Sequence, residues 1–363
     1  MQLPHLRVGI LGATGAVGQK FVELLSTHPW FEITALAASE RSAGRLYGDA
    51  VNWIGSTAIP DEIAGQEVVA ARPDLNCDFV FSGLAATVAG DVEWKFAEAG
   101  YPVISNARNF RMHDDVPLLI PEINPDHSSL IERQSWQRGG FIVTNPNCST
   151  IGLVCALRPL VDAFGVRDVQ VTTMQALSGS GYPGVPSLDV LGNVVPFIRG
   201  EEEKMATEPL KLLGTLDDGR ISPADITISA QCNRVPVLDG HLECVSVRFD
   251  QTVGPEAVRK AFLGFRSPIA SYGLPSEPEA LFCVYDDERF PQPRRHLEHH
   301  GGMAVAIGRI RSCEVLDVKF IVLVHNTVRG AAGGAVLNAE LLVKQGYLAA
   351  RSEHASSGVL AVI

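Results

Sequence analysis

The stretch TNPNCST, Thr144 to Thr150, sets one cysteine among amides and hydroxyls directly after the apolar run GFIVT. A structural thiol belongs among aliphatic neighbours, as Cys155 stands seven residues later in GLVCAL. NCSTIGLVCAL predicts a helix with Ser149 or Thr150 near its cap, so the positive end of the helix and its free N–H groups fall on Cys148. That setting lowers a thiol pKa and holds an oxyanion when sulfur attacks a carbonyl, with Asn147 and the Cys148 N–H as donors. Pro159 is expected to end or kink the helix early. A nucleophile of this kind needs a base. His241 in RVPVLDGH, just after Gly240 and seven residues beyond Arg234, is the best candidate, against the plainer reading of a structural histidine opening a strand.

A second chemical signature lies near the N-terminus. GATGAVG places Gly12, Gly15 and Gly18 between the apolar run LRVGIL and the helix-period segment AVGQKFVELLSTH. Such a turn brings backbone close to a pyrophosphate and aims N–H groups at it, through Gly12, Ala13, Thr14, Gly15, Ala16 and Val17. The plainer alternative is a glycine turn that only packs helix on strand. After the second strand comes SERS, where Ser39, Arg41 and Ser42 suit a 2′-phosphate and favour NADP over NAD. Glu40 opposes this by its charge or points to solvent. Ser82 and Gly83 close the run CDFVFSG and are expected at the same edge.

These groups must be positioned by a scaffold, and its elements are legible. LRVGIL, FEITALAA, QEVVA, CDFVFSG, PVISN and GFIVTN predict strands, with helices such as TVAGDVEWKFAEAG between some of them. The alternation predicts a Rossmann-type α/β domain with a parallel sheet. After Cys148 the runs DVQVTTMQAL, DITISAQCNRVPVL, HLECVSVRFD and GMAVAIGRIRSCEVLDVKFIVLVHN are longer, and several alternate. They predict an α+β domain with a mixed, largely antiparallel sheet that has one wet face. GEEEKMATEPLKLLG, GPEAVRKAFLGF and GAAGGAVLNAELLVKQGYLA predict helices. The expected division is residues 1–147 for the nucleotide domain, completed by the C-terminal helix 328–363, and 148–327 for the catalytic and dimerisation domain.

With 363 residues, 46% apolar and 20% charged, the chain has the composition of a globular enzyme of two domains. A net charge of −11 argues against nucleic acid or an anionic membrane as partner, and no apolar run is long enough to span a bilayer. The seven scattered cysteines lack zinc or redox spacing, which favours free thiols in a reducing cytoplasm. HLEHH, His296 to His300, reads as a solvated loop; no metal is expected.

GATGAVGQ, TNPNCST, QALSGSGYPG, GEEEK, NRVPVLDGH, PQPR, GMAVAIGRIR and NTVRGAAGGAVLNAE, taken together and in this order over nearly the whole chain, resemble the aspartate-semialdehyde dehydrogenases, most nearly their archaeal and fungal branch. The resemblance implies NADP-dependent conversion of 4-phospho-L-aspartate to L-aspartate 4-semialdehyde and phosphate through a thioester on Cys148, in the route to lysine, threonine and methionine. It implies His241 as acid/base and Gln175, in MQALSG, as the group that orients the reacting carbonyl. Arg234 matches the carboxylate-binding arginine, Arg111 and Lys204 match phosphate-binding cations, and Glu201 matches the acid that meets the substrate ammonium. Without the resemblance, EEEK is a solvated acidic first turn. Asn326, Ser178 and Gly179 match positions beside the nicotinamide. A homodimer or homotetramer is implied. Thr144 departs from the serine of many relatives, and RRHLEHHGG departs from the usual text after PQPR.

Two rival enzymes share parts of this pattern. Malonyl-CoA reductase needs a coenzyme A site, and N-acetyl-glutamyl-phosphate reductase acts on a substrate without a free ammonium, which leaves Glu201 without a task. A non-catalytic NADP sensor needs the glycine turn but not the cysteine, histidine and charged set.

Overall fold

The structure is a computed structural model, and it describes residues 5–351. Of the C-terminal segment, residues 352–363 lie outside the described residues.

Six strands in the first half form one parallel sheet: β1 (Leu6–Leu11), β2 (Phe31–Ala38), β3 (Val68–Ala70), β4 (Phe79–Ser82), β5 (Pro102–Ser105) and β6 (Phe141–Thr144). Their order is β3-β2-β1-β4-β5-β6, with the direction of winding reversing beside β1. β4, β5 and β6 are buried at every position, as strands covered on both faces must be. An open sheet of this order presents its ligand crevice at the C-terminal strand ends near the reversal.

The second half holds β7 (Val166–Gln175), the small hairpin β8 (Thr215–Asp217) and β9 (Arg220–Ser222), then β10 (Thr227–Arg234), β11 (His241–Phe249), β12 (Phe282–Tyr285), β13 (Val305–Ser312) and β14 (Val318–Val324). The main sheet runs β10-β7-β11-β14-β13-β12. Its central pairs are antiparallel, while β10 with β7 and β12 with β13 are parallel. β11 alternates as its sequence predicts: His241, Glu243, Val245, Val247 and Phe249 are buried, and Cys244 and Arg248 are exposed. The β8–β9 hairpin and β12 were not anticipated; both are too short to show a period.

The helix Cys148–Phe164 crosses from the end of β6 into the second core. Contrary to expectation, Pro159 neither ends nor interrupts it, and the helix runs on to Gly165 at φ 69°. A helical proline costs about 3 kcal/mol. Ile151, Leu153, Val154, Leu157 and Leu160 are all fully buried along this helix, at about 1.5–3 kcal/mol each, so packing outweighs the lost hydrogen bond.

The chain then returns to the first core. Val328–Ala332 forms a π turn, followed by the helix Gly333–Lys344. Ala335, Val336, Leu337, Ala339, Leu341 and Leu342 pack in one cluster with Leu6, Val8 and Ile10. This helix stops at Lys344, before the QGYLA that the sequence pattern includes, where Gly346 takes φ 85°. Among the described residues, no helix is long and apolar enough to cross a membrane.

Candidate active site

The N-terminus of the Cys148 helix lies where the two sheets meet. Its cap is Asn147, not Ser149 or Thr150: the Asn147 Oδ1 accepts from Ser149 N at 3.0 Å and Thr150 N at 3.2 Å. The Asn147 Nδ2 donates to Glu201 Oε1 at 2.8 Å. Cys148 follows, and its Sγ is 3.2 Å from His241 Nε2. His241 is fully buried as the first residue of β11, and its Nδ1 accepts the Ala176 N–H at 3.1 Å. The sequence predicts a thiol lowered by the helix end. Instead, burial and then the Glu201 carboxylate push it up to about 12, against the lowering pull of Lys204, Arg111 and Arg234. Burial, with Arg234 adding to it, brings the imidazole down to about 3. Both shifts favour the neutral forms of the pair.

The helix Glu201–Leu212 supplies the opposite wall, entered through Gly200 in the left-handed region. EEEK is no solvated turn at its first member. Glu201 is buried, with one carboxylate oxygen on Asn147 and the other accepting from Lys204 Nζ. Burial works to raise its carboxyl, but Lys204 and the Asn147 amide prevail and hold it below the usual range. One and two turns beyond Lys204, the same face carries Glu208 and Lys211, which the sequence does not single out. Glu208 Oε1 accepts from Arg111 NH1 at 2.8 Å, and its Oε2 accepts the Asn147 backbone N–H at 2.7 Å. Lys211 Nζ donates to the carbonyls of Arg111, His113 and Val116 at 2.7–2.8 Å. Burial lowers this ammonium to about 8. The positions 201, 204, 208 and 211 recur at helical spacing, so the pattern was present in GEEEKMATEPLK.

The second sheet contributes from one end. Gln175 and Arg234 are register partners at the last positions of β7 and β10, and β11 starts with His241 beside them. Arg234 NH1 donates to Ala176 O at 2.6 Å, and Gln175 Nε2 to Thr173 Oγ1 at 3.2 Å. A Cβ on Gly179 would come within 3.0 Å of Arg234 and 3.1 Å of the His241 ring, so only glycine leaves that space open. Asn326, just past β14, accepts the Gly240 N–H at 2.8 Å and donates to Ser178 Oγ at 2.8 Å. It thereby ties the loop before His241 to the Ser178–Gly179 turn. Gly330, in the π turn, lies so close to Cys148 that a Cβ there would stand 2.8 Å from the Cβ of that cysteine. The motif NTVRGAAGG contains that glycine, but nothing in it signals the contact.

The nucleotide turn is built as its spacing requires. Gly12 has φ 79°, and its N–H bonds Ala37 O. A Cβ on Gly18 would stand 2.2 Å from Gly12 O. A Cβ on Gly15 would meet only Gly12 O, at 3.3 Å, so its outer side is free for a ligand. The helix Ala16–Leu25 begins at Gly15 with no side-chain cap, leaving its first N–H groups for an anion. Ser82 and Gly83 lie alongside at the end of β4, and the Gly83 carbonyl is 3.0 Å from a Cβ built on Gly12. Ser39, Arg41 and Ser42 occupy a separate turn after β2, Ser39 and Arg41 exposed and Ser42 partly so. Glu40 there turns to Arg72, 2.8 Å away, which offsets its charge. The uncapped helix start and the open face at Gly15 fit a dinucleotide.

The structure thus gathers Cys148, His241, Asn147, Gln175, Arg234, Glu201, Lys204 and Arg111 into one site, and sets the SERS turn apart from it. The histidine cluster is elsewhere: His296 and His299 pack against Tyr285, with the Tyr285 hydroxyl on His299.

Comparison with known proteins agrees with this geometry. The model of the semialdehyde dehydrogenase NAD binding domain matches residues 7–131, and that of the semialdehyde dehydrogenase dimerisation domain matches residues 157–329. An aspartate-semialdehyde dehydrogenase of Archaeoglobus fulgidus is 53% identical over 341 residues, covering 93% of this chain and 98% of its own. One of Schizosaccharomyces pombe is 48% identical over 354 residues, covering 94% and 99%. The crystal structure of aspartate semialdehyde dehydrogenase with NADP from Candida albicans superposes with a TM-score of 0.88 at 43% identity, covering 94% of this chain and all of the other. With a thiol–imidazole pair set at the junction of a nucleotide-binding and a dimerisation domain, and with identities of this extent in archaeal and fungal relatives, the chain belongs to the aspartate-semialdehyde dehydrogenase family.

Proposed function

We propose that the chain interconverts 4-phospho-L-aspartate and L-aspartate 4-semialdehyde plus phosphate, with NADP as redox partner and Cys148 as nucleophile. The observation that carries this is the 3.2 Å contact of Cys148 and His241 inside a wall of three cations and one carboxylate. In the reductive direction the Cys148 thiol gives its proton to His241 as the sulfur adds to the acyl carbon, and phosphate departs with the C–O bonding electrons to leave a thioester. NADPH, when bound, supplies the hydride that reduces this carbonyl. His241, made imidazolium by the thiol proton, gives a proton at Nε2 to the resulting oxygen and takes it back as the C–S bond breaks, releasing aldehyde and thiolate. The Cys148 N–H at the helix end and the Asn147 amide stabilise the charge on that oxygen, and Gln175 orients it.

Each polar part of the substrate has a partner. Arg234 suits the α-carboxylate by its planar fork. Glu201 suits the ammonium, and pairing there removes the charge that most opposes ionisation of Cys148 after burial. Arg111 and Lys204 suit the phosphate. The glycine turn takes the pyrophosphate, Ser39, Arg41 and Ser42 the 2′-phosphate, and Ser178, Gly179 and Asn326 the nicotinamide side. Residues 1–147 with the helix Gly333–Lys344 form the nucleotide domain, and the segment up to 327 forms the catalytic domain. The wet face of its sheet, with Leu242, Cys244 and Ser246, serves a homodimer or homotetramer. All seven cysteines are unpaired, in keeping with the cytoplasm.

Phosphate-dependent reduction of NADP by aspartate semialdehyde, run beside malonyl-CoA with NADPH, tests the reading. Turnover with the first pair alone supports it, and turnover with the second alone defeats it.

A further inference from the structure

Arg111, in the loop after β5, and Asn147, the cap of the Cys148 helix after β6, come from different segments, yet a single carboxylate joins them. Glu208 is buried in the middle of the helix Glu201–Leu212. One of its oxygens accepts from the Arg111 guanidinium at 2.8 Å and the other from the backbone N–H of Asn147, the cap of the Cys148 helix, at 2.7 Å. Both oxygens are thereby used, and neither is left for substrate.

We propose that Glu208 is a positioning residue that holds the phosphate-binding arginine and the nucleophile's oxyanion loop as one unit; the proposal rests on the assignment of Arg111 to phosphate made above. The geometry is specific in three respects. Arg111 NH2 is bound to Asn106 O at 2.7 Å, so with NH1 on Glu208 the guanidinium is fixed in plane and turn, leaving the second N–H of each terminal nitrogen and a buried Nε–H that has no partner among the described residues. The Asn147 peptide, pinned at its N–H, has its side chain pinned at both ends by the cap and by Glu201. One turn further along the same face, Lys211 holds three carbonyls of the Arg111–Val116 loop, so the loop meets the helix twice. Glu201 and Lys204 then stand toward the substrate, while Glu208 and Lys211 stand behind it. A residue with this duty requires two acceptors. Glutamine keeps the volume but presents an amide N–H to one of the two donors, whereas aspartate keeps both acceptors on a shorter stem.

The test uses the full-length enzyme with inorganic phosphate as probe. Two quantities are measured: the phosphate KM during NADP reduction, and the phosphate concentration that half-protects Cys148 from iodoacetamide, which needs no turnover. Glu208→Gln is expected to raise both roughly ten-fold or more, as loss of an ordered charged hydrogen bond does, with the dissociation constant of NADPH unchanged. Glu208→Asp is expected to recover part of the loss. Adding Glu208→Gln to Arg111→Gln is expected to change the half-protection value little, because the effect runs through Arg111. A fall in active fraction with KM and half-protection unchanged overturns the proposal, as does full additivity of the two substitutions. If the wild type shows no turnover with phosphate, the functional reading falls, and the half-protection values still decide the role of Glu208.

Discussion

The Nε2 of His241 stands 3.2 Å from the sulfur of Cys148, and the other face of the ring is already taken. Because Ala176 N–H points at Nδ1, the neutral imidazole carries its one proton on Nε2 and is a donor toward the sulfur. A standing thiolate–imidazolium pair would place a second proton on Nδ1, facing the Ala176 N–H. The charged acid form therefore requires that contact to open. In the cofactor-free enzyme, alkylation of Cys148 by iodoacetamide is expected to climb with pH through pH 10 without a plateau, as a thiol raised to about 12 must. A plateau near pH 6 would show a pre-formed ion pair and refute the neutral one.

Cys148→Ala is expected to abolish turnover while leaving NADPH affinity near that of the wild type, since the glycine turn is built by other elements. Cys148→Ser is expected to fail as well, because a hydroxyl is a far weaker nucleophile at neutral pH. Equilibrium titration by nicotinamide fluorescence, beside the steady-state rate, checks both. Wild-type rates in either variant would remove Cys148 from the mechanism.

Much of the fold is legible in the sequence. β1 and β2 match their apolar runs residue for residue, because strands covered on both faces need mostly apolar runs; the one charge in each, Arg7 and Glu32, falls at the second position, half-buried in β1 and exposed in β2. The place of Cys148 at the start of a helix is legible from NCSTIGLVCAL. What could not be read was chemistry made by approach in space. The Ala176 N–H on His241, the nearness of Gly330 to Cys148 and the two-sided grip of Glu208 all join residues far apart in the chain. The thiol pKa was misjudged for the same reason: the helix end is visible in sequence, whereas burial and the Glu201 charge are not. Pro159 was misjudged because local rules omit the packing that holds its helix.

Arg234→Lys is expected to raise the KM for aspartate semialdehyde roughly 10- to 100-fold, the equivalent of the about 1.5–3 kcal/mol that a hydrogen bond to a charged group contributes. The lysine retains the charge but cannot form the fork, and it also gives up the hydrogen bond to Ala176 O that steadies the guanidinium. An unaltered KM would show that the carboxylate binds elsewhere.

Gly18→Ala attacks the cofactor turn by sterics alone. Its Cβ would stand 2.2 Å from Gly12 O and 2.7 Å from Ala13 Cα, both backbone atoms that cannot swing aside. Displacing the helix start costs about 1–3 kcal/mol of strain and moves the N–H groups that face the pyrophosphate. The NADPH dissociation constant is expected to rise roughly ten-fold or more. Gly44→Ala, where a Cβ meets nothing within 4 Å although φ is 81°, is the control for backbone strain without a clash.

Glu243 offers a test of the core beneath the site. It lies two residues beyond His241 on the same face of β11, fully buried, and neither carboxyl oxygen has a partner among the described residues. Burial, with the charge of Glu201 adding to it, raises its pKa well above the usual carboxylate value. An acid raised on folding is protonated more readily in the native state than in the unfolded one, so its contribution to stability is complete at pH below the unfolded pKa. That contribution is lost progressively as pH rises from there toward the native pKa. Glu243→Gln, neutral at every pH and of the same size, is expected to remove this loss. Its midpoint of urea unfolding is expected to match the wild type near pH 4 and to exceed it by a margin that widens up to pH 8. A variant that is instead less stable across that whole range would mean that the carboxyl is charged and partnered in the native enzyme.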